Sequence, residues 1–119
     1  MTQSWQTQME TELERAERAR REVNEGMARV CARRAAGAVI REFLARQQIV
    51  LPRSTVSAMQ HLKYLRDTPS LPLEVRTRAG HFLMNITPDH VLPVEADLVS
   101  EARWLAAHLL GDPEPGRAA

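Results

Sequence analysis

The sequence predicts an all-α fold: a compact bundle of four to five helices, with a long N-terminal helix that could project from it. Three Leu-Pro pairs, at 51–52, 71–72 and 92–93, each precede a stretch with helical spacing of apolar residues. A proline has no N–H to lose and a preset φ, so it suits the first turn of a helix. Aromatic residues make up only 4% of the chain. The core must therefore be largely aliphatic, which favours helices over strands.

The N-terminal region, residues 2–48, contains no proline and is rich in helix-forming Ala, Glu, Arg, Gln and Leu. Its apolar residues recur at intervals of three and four, which predicts one amphipathic face. Whether the region forms one helix or two is left open. The expected break is at residues 24–26, with Gly26 in the left-handed conformation that often follows a helix end.

The sequence suggests a division of the chain into three parts. Residues 1–26 are more polar than the rest of the N-terminal region and are expected to form an N-terminal helical extension, a candidate dimerisation segment. Residues 27–111 are expected to form the helical core domain. The tail, residues 112–119, has too little apolar content to pack and is predicted to be disordered.

Turn residues divide the second half into short helices. Ser54 or Thr55 is expected to cap the first, which the turn at residues 67–70 ends. The next is expected to begin near Pro72, and the last to run from near Pro93 to Gly111. A helical-repeat fragment is the alternative, because two Leu-Pro intervals span 41 residues. Such arrays need about three repeats to bury their faces, so the bundle is preferred.

Charge and cysteine content set broad limits on function. The net charge is only +1, so no overall field indicates a nucleic-acid or membrane partner. Residues 15–46 nevertheless contain nine arginines and four acidic residues, a local balance of +5. The single cysteine, Cys31, excludes an internal disulfide, and the first thirty residues contain no apolar run typical of a signal peptide. A cytoplasmic location is therefore expected.

No motif with a catalytic mechanism is recognisable, so the protein is predicted not to be an enzyme and to use no cofactor or metal. None of the four histidines is paired at the spacing of a helical zinc site. Cys31 lies on a patterned helix and is interpreted as a buried structural thiol. The enzymatic alternative would require His61, His81 and an acid to converge.

The favoured hypothesis is a helical protein-interaction or adaptor protein that self-associates, as a homodimer, through its N-terminal helix. An exposed indole is a typical interface anchor. The predicted interface residues share the apolar face of that helix or its end: Trp5, Met9, Leu13, Ala16 and Val23.

The alternative hypothesis is a nucleic-acid-associated protein that uses the arginine-rich segment 15–46. The candidate phosphate contacts are Arg15, Arg18, Arg29, Arg33 and Arg41. A structural interpretation competes with this one, because Glu14, Glu17 and Glu25 each precede an arginine by four residues. That spacing and order support helices through ion pairs, without any ligand.

Overall fold

The computed structural model describes residues 4–52, 57–84 and 97–111, and these residues form five α-helices and no strand. The all-α class is therefore confirmed. The radius of gyration, 13.9 Å, is close to the roughly 13.5 Å expected for a folded domain of this length. The helices, in chain order, are α1 (Trp5–Arg21), α2 (Glu25–Arg46), α3 (Ala58–Asp67), α4 (Leu73–His81) and α5 (Leu98–Leu110).

The N-terminal region forms two helices, and the break lies where the sequence predicts it. The Asn24 side chain accepts a hydrogen bond from the Met27 N–H at 3.1 Å and so caps α2. Gly26 is not the left-handed residue, as the sequence suggested, because the cap at Asn24 places Gly26 inside the helix. The left-handed residue is Val23, with φ of 57°.

The end of α1 is a Schellman motif. The Asn24 N–H donates to the Ala19 carbonyl at 2.7 Å, and the Val23 N–H donates to the Arg20 carbonyl at 3.0 Å. The same pair of bonds ends α2, where Gln48 has φ of 57°. Glycine is the usual residue at this position, since a side chain is disfavoured in the left-handed region.

The central helix of the bundle is α2, which packs against α1, α3 and α5. From Ala35 to Ile40 every residue is buried, so this stretch of α2 is covered on all sides. The alanines on α2 allow its neighbours to approach closely. At Gly37 the approach is closest, because an added Cβ would lie 2.8 Å from the Cβ of Ala58 on α3.

The first helix does not project. Met9, Leu13 and Ala16 are buried in the same cluster as the residues of α2 to α5. The sequence analysis placed the boundary between the N-terminal extension and the core domain at residue 26. In the structure this position lies beside the turn between α1 and α2, and both helices belong to one core.

The bounds of the later helices agree in part with those predicted from the turn residues. α3 ends at Asp67, as predicted, and α4 begins directly after Pro72. α5 ends at Leu110 and is capped by Gly111, which takes the left-handed conformation with φ of 69°. α3 begins at Ala58 with Ser57 as its cap. The predicted caps Ser54 and Thr55, the predicted start at Pro93 and the tail 112–119 lie outside the described residues.

Candidate functional site

The predicted dimer interface is divided between the core and the surface. Leu13 is 1% exposed, and Met9 and Ala16 are also buried against α2 and its neighbours. Trp5 is half-buried against the same core. Of the five predicted interface residues, only Val23 is fully exposed. It lies 18 residues from Trp5, roughly 27 Å along a helix.

The five residues therefore do not form one exposed surface in the folded chain, contrary to what the helical spacing suggested. The apolar face of α1 is covered within the chain, because the small side chains of α2 let α1 pack against it. We call Met9, Leu13 and Ala16 the seam of α1.

The turn between α1 and α2 presents apolar side chains to solvent. Val23 is 85% exposed and Met27, in the first turn of α2, is also exposed. We call these two residues the corner patch. A β-branched residue in the left-handed region is a true conformational outlier, at a cost of about 1 to 3 kcal/mol. Such outliers cluster at functional sites.

The charges near the corner patch have both signs. Arg20 donates to the Asp97 carboxylate at 3.3 Å, which joins the end of α1 to the start of α5. Burial opposes a charge on Asp97, but the bond with Arg20 and the backbone N–H groups of α5 hold the pKa of Asp97 below its usual value. Arg21 and Glu22, beside Val23, are both exposed. The corner is thus apolar at its centre and has a mixed polar rim.

The arginines proposed as phosphate contacts face different neighbours. Arg15 pairs with Glu12 at 3.1 Å, and the Arg41 guanidinium donates to the Gln8 side chain at 3.3 Å. Arg33 donates instead to the Phe82 carbonyl at the end of α4, and Arg18 is exposed without an ion pair among the described residues. These side chains do not form one basic face.

The predicted ion pairs of the N-terminal region are also absent from the described residues. No salt bridge joins Glu14, Glu17 or Glu25 to the arginine four residues later. The arginine of the third predicted pair, Arg29, has no acidic partner there. The pairs that form within these helices are those between Arg15 and Glu12 and between Arg46 and Glu42.

A polar cluster that the sequence analysis missed joins α4 to α5. Glu101, buried on α5, accepts a hydrogen bond from Arg78 at 2.8 Å, and its other oxygen lies 2.7 Å from Nδ1 of His81. Arg78 also donates to Glu74 at 2.9 Å. Burial opposes charge on Arg78, but the hydrogen bonds with Glu74 and Glu101 raise its pKa. We call these four residues the α4–α5 cluster.

Aromatic rings extend this cluster. The Arg78 guanidinium lies 4.2 Å from the ring centre of Trp104, and Trp104 stacks on His108 with 3.8 Å between ring centres. Spacing along the sequence marks the two helix faces that meet here, although it does not show that they meet. Glu74, Arg78 and His81 recur at intervals of four and three on α4, and Glu101, Trp104 and His108 at three and four on α5, so each set shares one helix face.

The histidines do not converge as the enzymatic alternative requires. His81 does meet an acid, Glu101, which orients its ring. His61 lies instead at the contact of α2 and α3, where it is buried near Gly37 and its Nδ1 has no hydrogen-bond partner among the described residues. Burial and the nearby charge of Arg41 lower the pKa of His61. Within the described ranges no three metal-ligating side chains come together.

The thiol of Cys31 is buried, as predicted. Burial raises its pKa, and the nearby carboxylate of Glu12 raises it further. The thiolate, which is the nucleophilic form, is therefore disfavoured.

Comparisons with protein-family models, with curated proteins and with solved structures found no match for this chain. None of the helices in the described ranges combines the length and the apolar character needed to cross a bilayer.

Proposed function

We propose that this protein is a non-enzymatic helical interaction protein that associates with a second copy of itself through the corner patch. The observation that supports the proposal most strongly is the exposed Val23 side chain in a conformation that favours glycine. Folding alone gives no reason for valine at this position, because the side chain is out of the core and strains the backbone. Contact with a partner provides that reason.

A second copy is the occupant that best fits the surroundings of the patch. A twofold interface joins one surface to itself, so its charges must be self-complementary. The rim offers Arg21 beside Glu22, and an intact ion pair between Arg20 and Asp97. Such a rim disfavours a polyanion, and it permits an arginine of one copy to meet a glutamate of the other. The sequence hypothesis placed self-association along the apolar face of the N-terminal helix. The present proposal moves it to the corner patch and retains only Val23 of the five predicted interface residues.

The test measures mass by light scattering over a range of protein concentrations. We expect the wild type to be a dimer and Val23→Asp to be a monomer that keeps its fold, since aspartate tolerates the left-handed region better than valine. Val50→Asp is the matched control, because Val50 is 93% exposed and lies after the end of α2. We expect it to remain dimeric. A monomeric wild type, or a dimer lost in Val50→Asp and kept in Val23→Asp, would contradict the proposal.

Oligonucleotide binding at two salt concentrations decides between this proposal and the alternative function. A protein that neutralises phosphates loses affinity steeply as salt rises. A monomeric chain with salt-dependent oligonucleotide binding would replace self-association with nucleic-acid association.

A further inference from the structure

Two arginines on α2, Arg29 and Arg33, lie one turn apart and share a helix face. Arg33 is held in place, because its Nε donates to the Phe82 carbonyl at 2.9 Å. That carbonyl lies at the C-terminal end of α4, where backbone oxygens lack helical partners. This bond uses one of the five N–H donors of the guanidinium and leaves both terminal nitrogens for other acceptors.

The guanidinium of Arg29 is not satisfied by the described protein. Its Nε and Nη2 atoms are hidden from solvent and have no hydrogen-bond partner there. Glu25, one turn earlier, forms no salt bridge with it, and Arg33 is likewise without an acidic partner among the described residues. Burial lowers the pKa of both arginines, and the charge of Arg33 lowers that of Arg29 further.

Leaving hidden guanidinium donors without a partner is destabilising, and unsatisfied buried groups in native proteins often mark an absent ion or ligand. We propose that Arg29 and Arg33 bind a phosphate group. Two guanidinium groups supply two positive charges and planar donor forks, which match the geometry of phosphate oxygens. A phosphate carries a charge close to −2 at neutral pH, whereas a single carboxylate would balance only one of the two arginines. The site lies on α2 and is independent of self-association at the corner patch.

Titration calorimetry with inorganic phosphate at constant ionic strength tests this site in the full-length chain. We expect saturable binding by the wild type and binding at least roughly tenfold weaker in Arg29→Met and in Arg33→Met. Methionine keeps an apolar stem and removes the charge. Arg34→Met is the matched control, since Arg34 is the next residue on α2, is exposed and has no ion pair in the described part of the chain. We expect it to bind phosphate as the wild type does.

Thermal unfolding without phosphate adds a result that does not depend on affinity. Replacing a side chain that has hidden, unpaired donors with an apolar one of similar length is expected to be neutral or stabilising. We therefore expect Arg29→Met to match or exceed the wild-type melting temperature in phosphate-free buffer, and to lose the rise that phosphate produces in the wild type. Phosphate also raises the melting temperature of proteins in general, because it is excluded from their surfaces. The rise in Arg34→Met measures this general effect and is subtracted from the rise in the other variants. A phosphate effect that is equal in Arg29→Met and Arg34→Met would overturn the proposal.

A second titration, with a short single-stranded oligonucleotide, identifies the source of the phosphate. Binding of inorganic phosphate alone supports a site for a small phosphorylated molecule. Binding of the oligonucleotide that weakens in Arg29→Met supports a site for a nucleic-acid backbone. Failure of both ligands to bind, or binding that neither Arg29→Met nor Arg33→Met weakens, would overturn the site.

Discussion

The seam of α1 and the corner patch belong to the same apolar pattern in the sequence, but they have opposite environments. Leu13 is buried among side chains of the core, and Val23, ten residues later, is almost fully in water. The helix ends between them, at Arg21, and the Schellman motif turns Val23 away from the face that α2 covers. The apolar spacing of this segment therefore predicts burial only as far as the helix extends, and Val23 lies beyond its end.

The largest difference between the two regions is expected in stability. We expect Leu13→Ala to lower the free energy of unfolding by about 3 to 4 kcal/mol, because it removes a buried side chain and leaves a cavity. Val23→Ala should change the same quantity by less than about 0.5 kcal/mol, as is usual for surface substitutions. Urea unfolding at low protein concentration measures both. Equal effects would contradict the assignment of the seam to the core.

The comparison of a buried with an exposed residue can also be made for two carboxylates, because Glu101 and Glu74 both accept hydrogen bonds from Arg78. The Glu101 side chain is 9% exposed and that of Glu74 is 61% exposed. We expect Glu101→Gln to cost about 2 kcal/mol of unfolding free energy, since the two groups bonded to it would lose a charged acceptor in a buried setting. Glu74→Gln should cost less than about 1 kcal/mol, because exposed ion pairs contribute little. Chemical denaturation of the two variants compares them, and a larger loss in Glu74→Gln would refute the buried role of Glu101.

The left-handed residues allow a sharper test of the corner. We expect Val23→Gly to raise the stability of the monomer by about 1 kcal/mol, because glycine has no Cβ to strain. Gln48→Gly, at the equivalent position after α2, should stabilise less, since glutamine is not β-branched. Thermal unfolding of dilute protein measures the difference. Destabilisation by Val23→Gly would mean that the conformation at this turn costs the fold nothing.

The smallest expected effect is a pH dependence that separates a buried histidine from an exposed one. The pKa of His61 is below its usual 6.5 in the folded protein, so between the two values the unfolded chain binds more protons. The contribution of His61 to the free energy of unfolding is therefore fully present above about pH 6.5, and it decreases as the pH falls toward the pKa of the folded state.

Two substitutions isolate this contribution. His61→Leu should remove that part of the acid-side decline, and His108→Gln, at an exposed residue of α5, should leave it intact. The measurement is unfolding free energy at several pH values from 7.5 to 5. Identical pH profiles for His61→Leu and the wild type would refute the burial of His61 in its neutral form.

The sequence predicted the helices better than their contacts. Apolar spacing marked the face that contains Leu13, and the turn residues predicted the end of α3 at Asp67 and the cap of α5 at Gly111. Spacing defines a face, however, and does not say which element covers it. The seam was therefore assigned to a second copy, when the nearby alanines of α2 cover it.

The polar sites were harder to predict for a physical reason. Arg78 and His81 lie 23 and 20 residues from Glu101, on a different helix, and only packing brings them to it. The unsatisfied guanidinium of Arg29 also depends on what surrounds it. Its sequence neighbour Glu25 suggested an ion pair that does not form. Local rules describe one helix at a time, whereas the α4–α5 cluster arises where two helices meet.

Contacts between two copies of the chain test the central claim most directly. In a sample that mixes isotope-labelled and unlabelled protein, intermolecular nuclear Overhauser effects identify the methyl groups that touch another copy. We predict such effects at the methyl groups of Val23 and Met27, and none at those of Met9 and Leu13. Intermolecular effects at Leu13 and Met9 with none at Val23 would show that the seam, and not the corner, joins the copies, and would contradict this account.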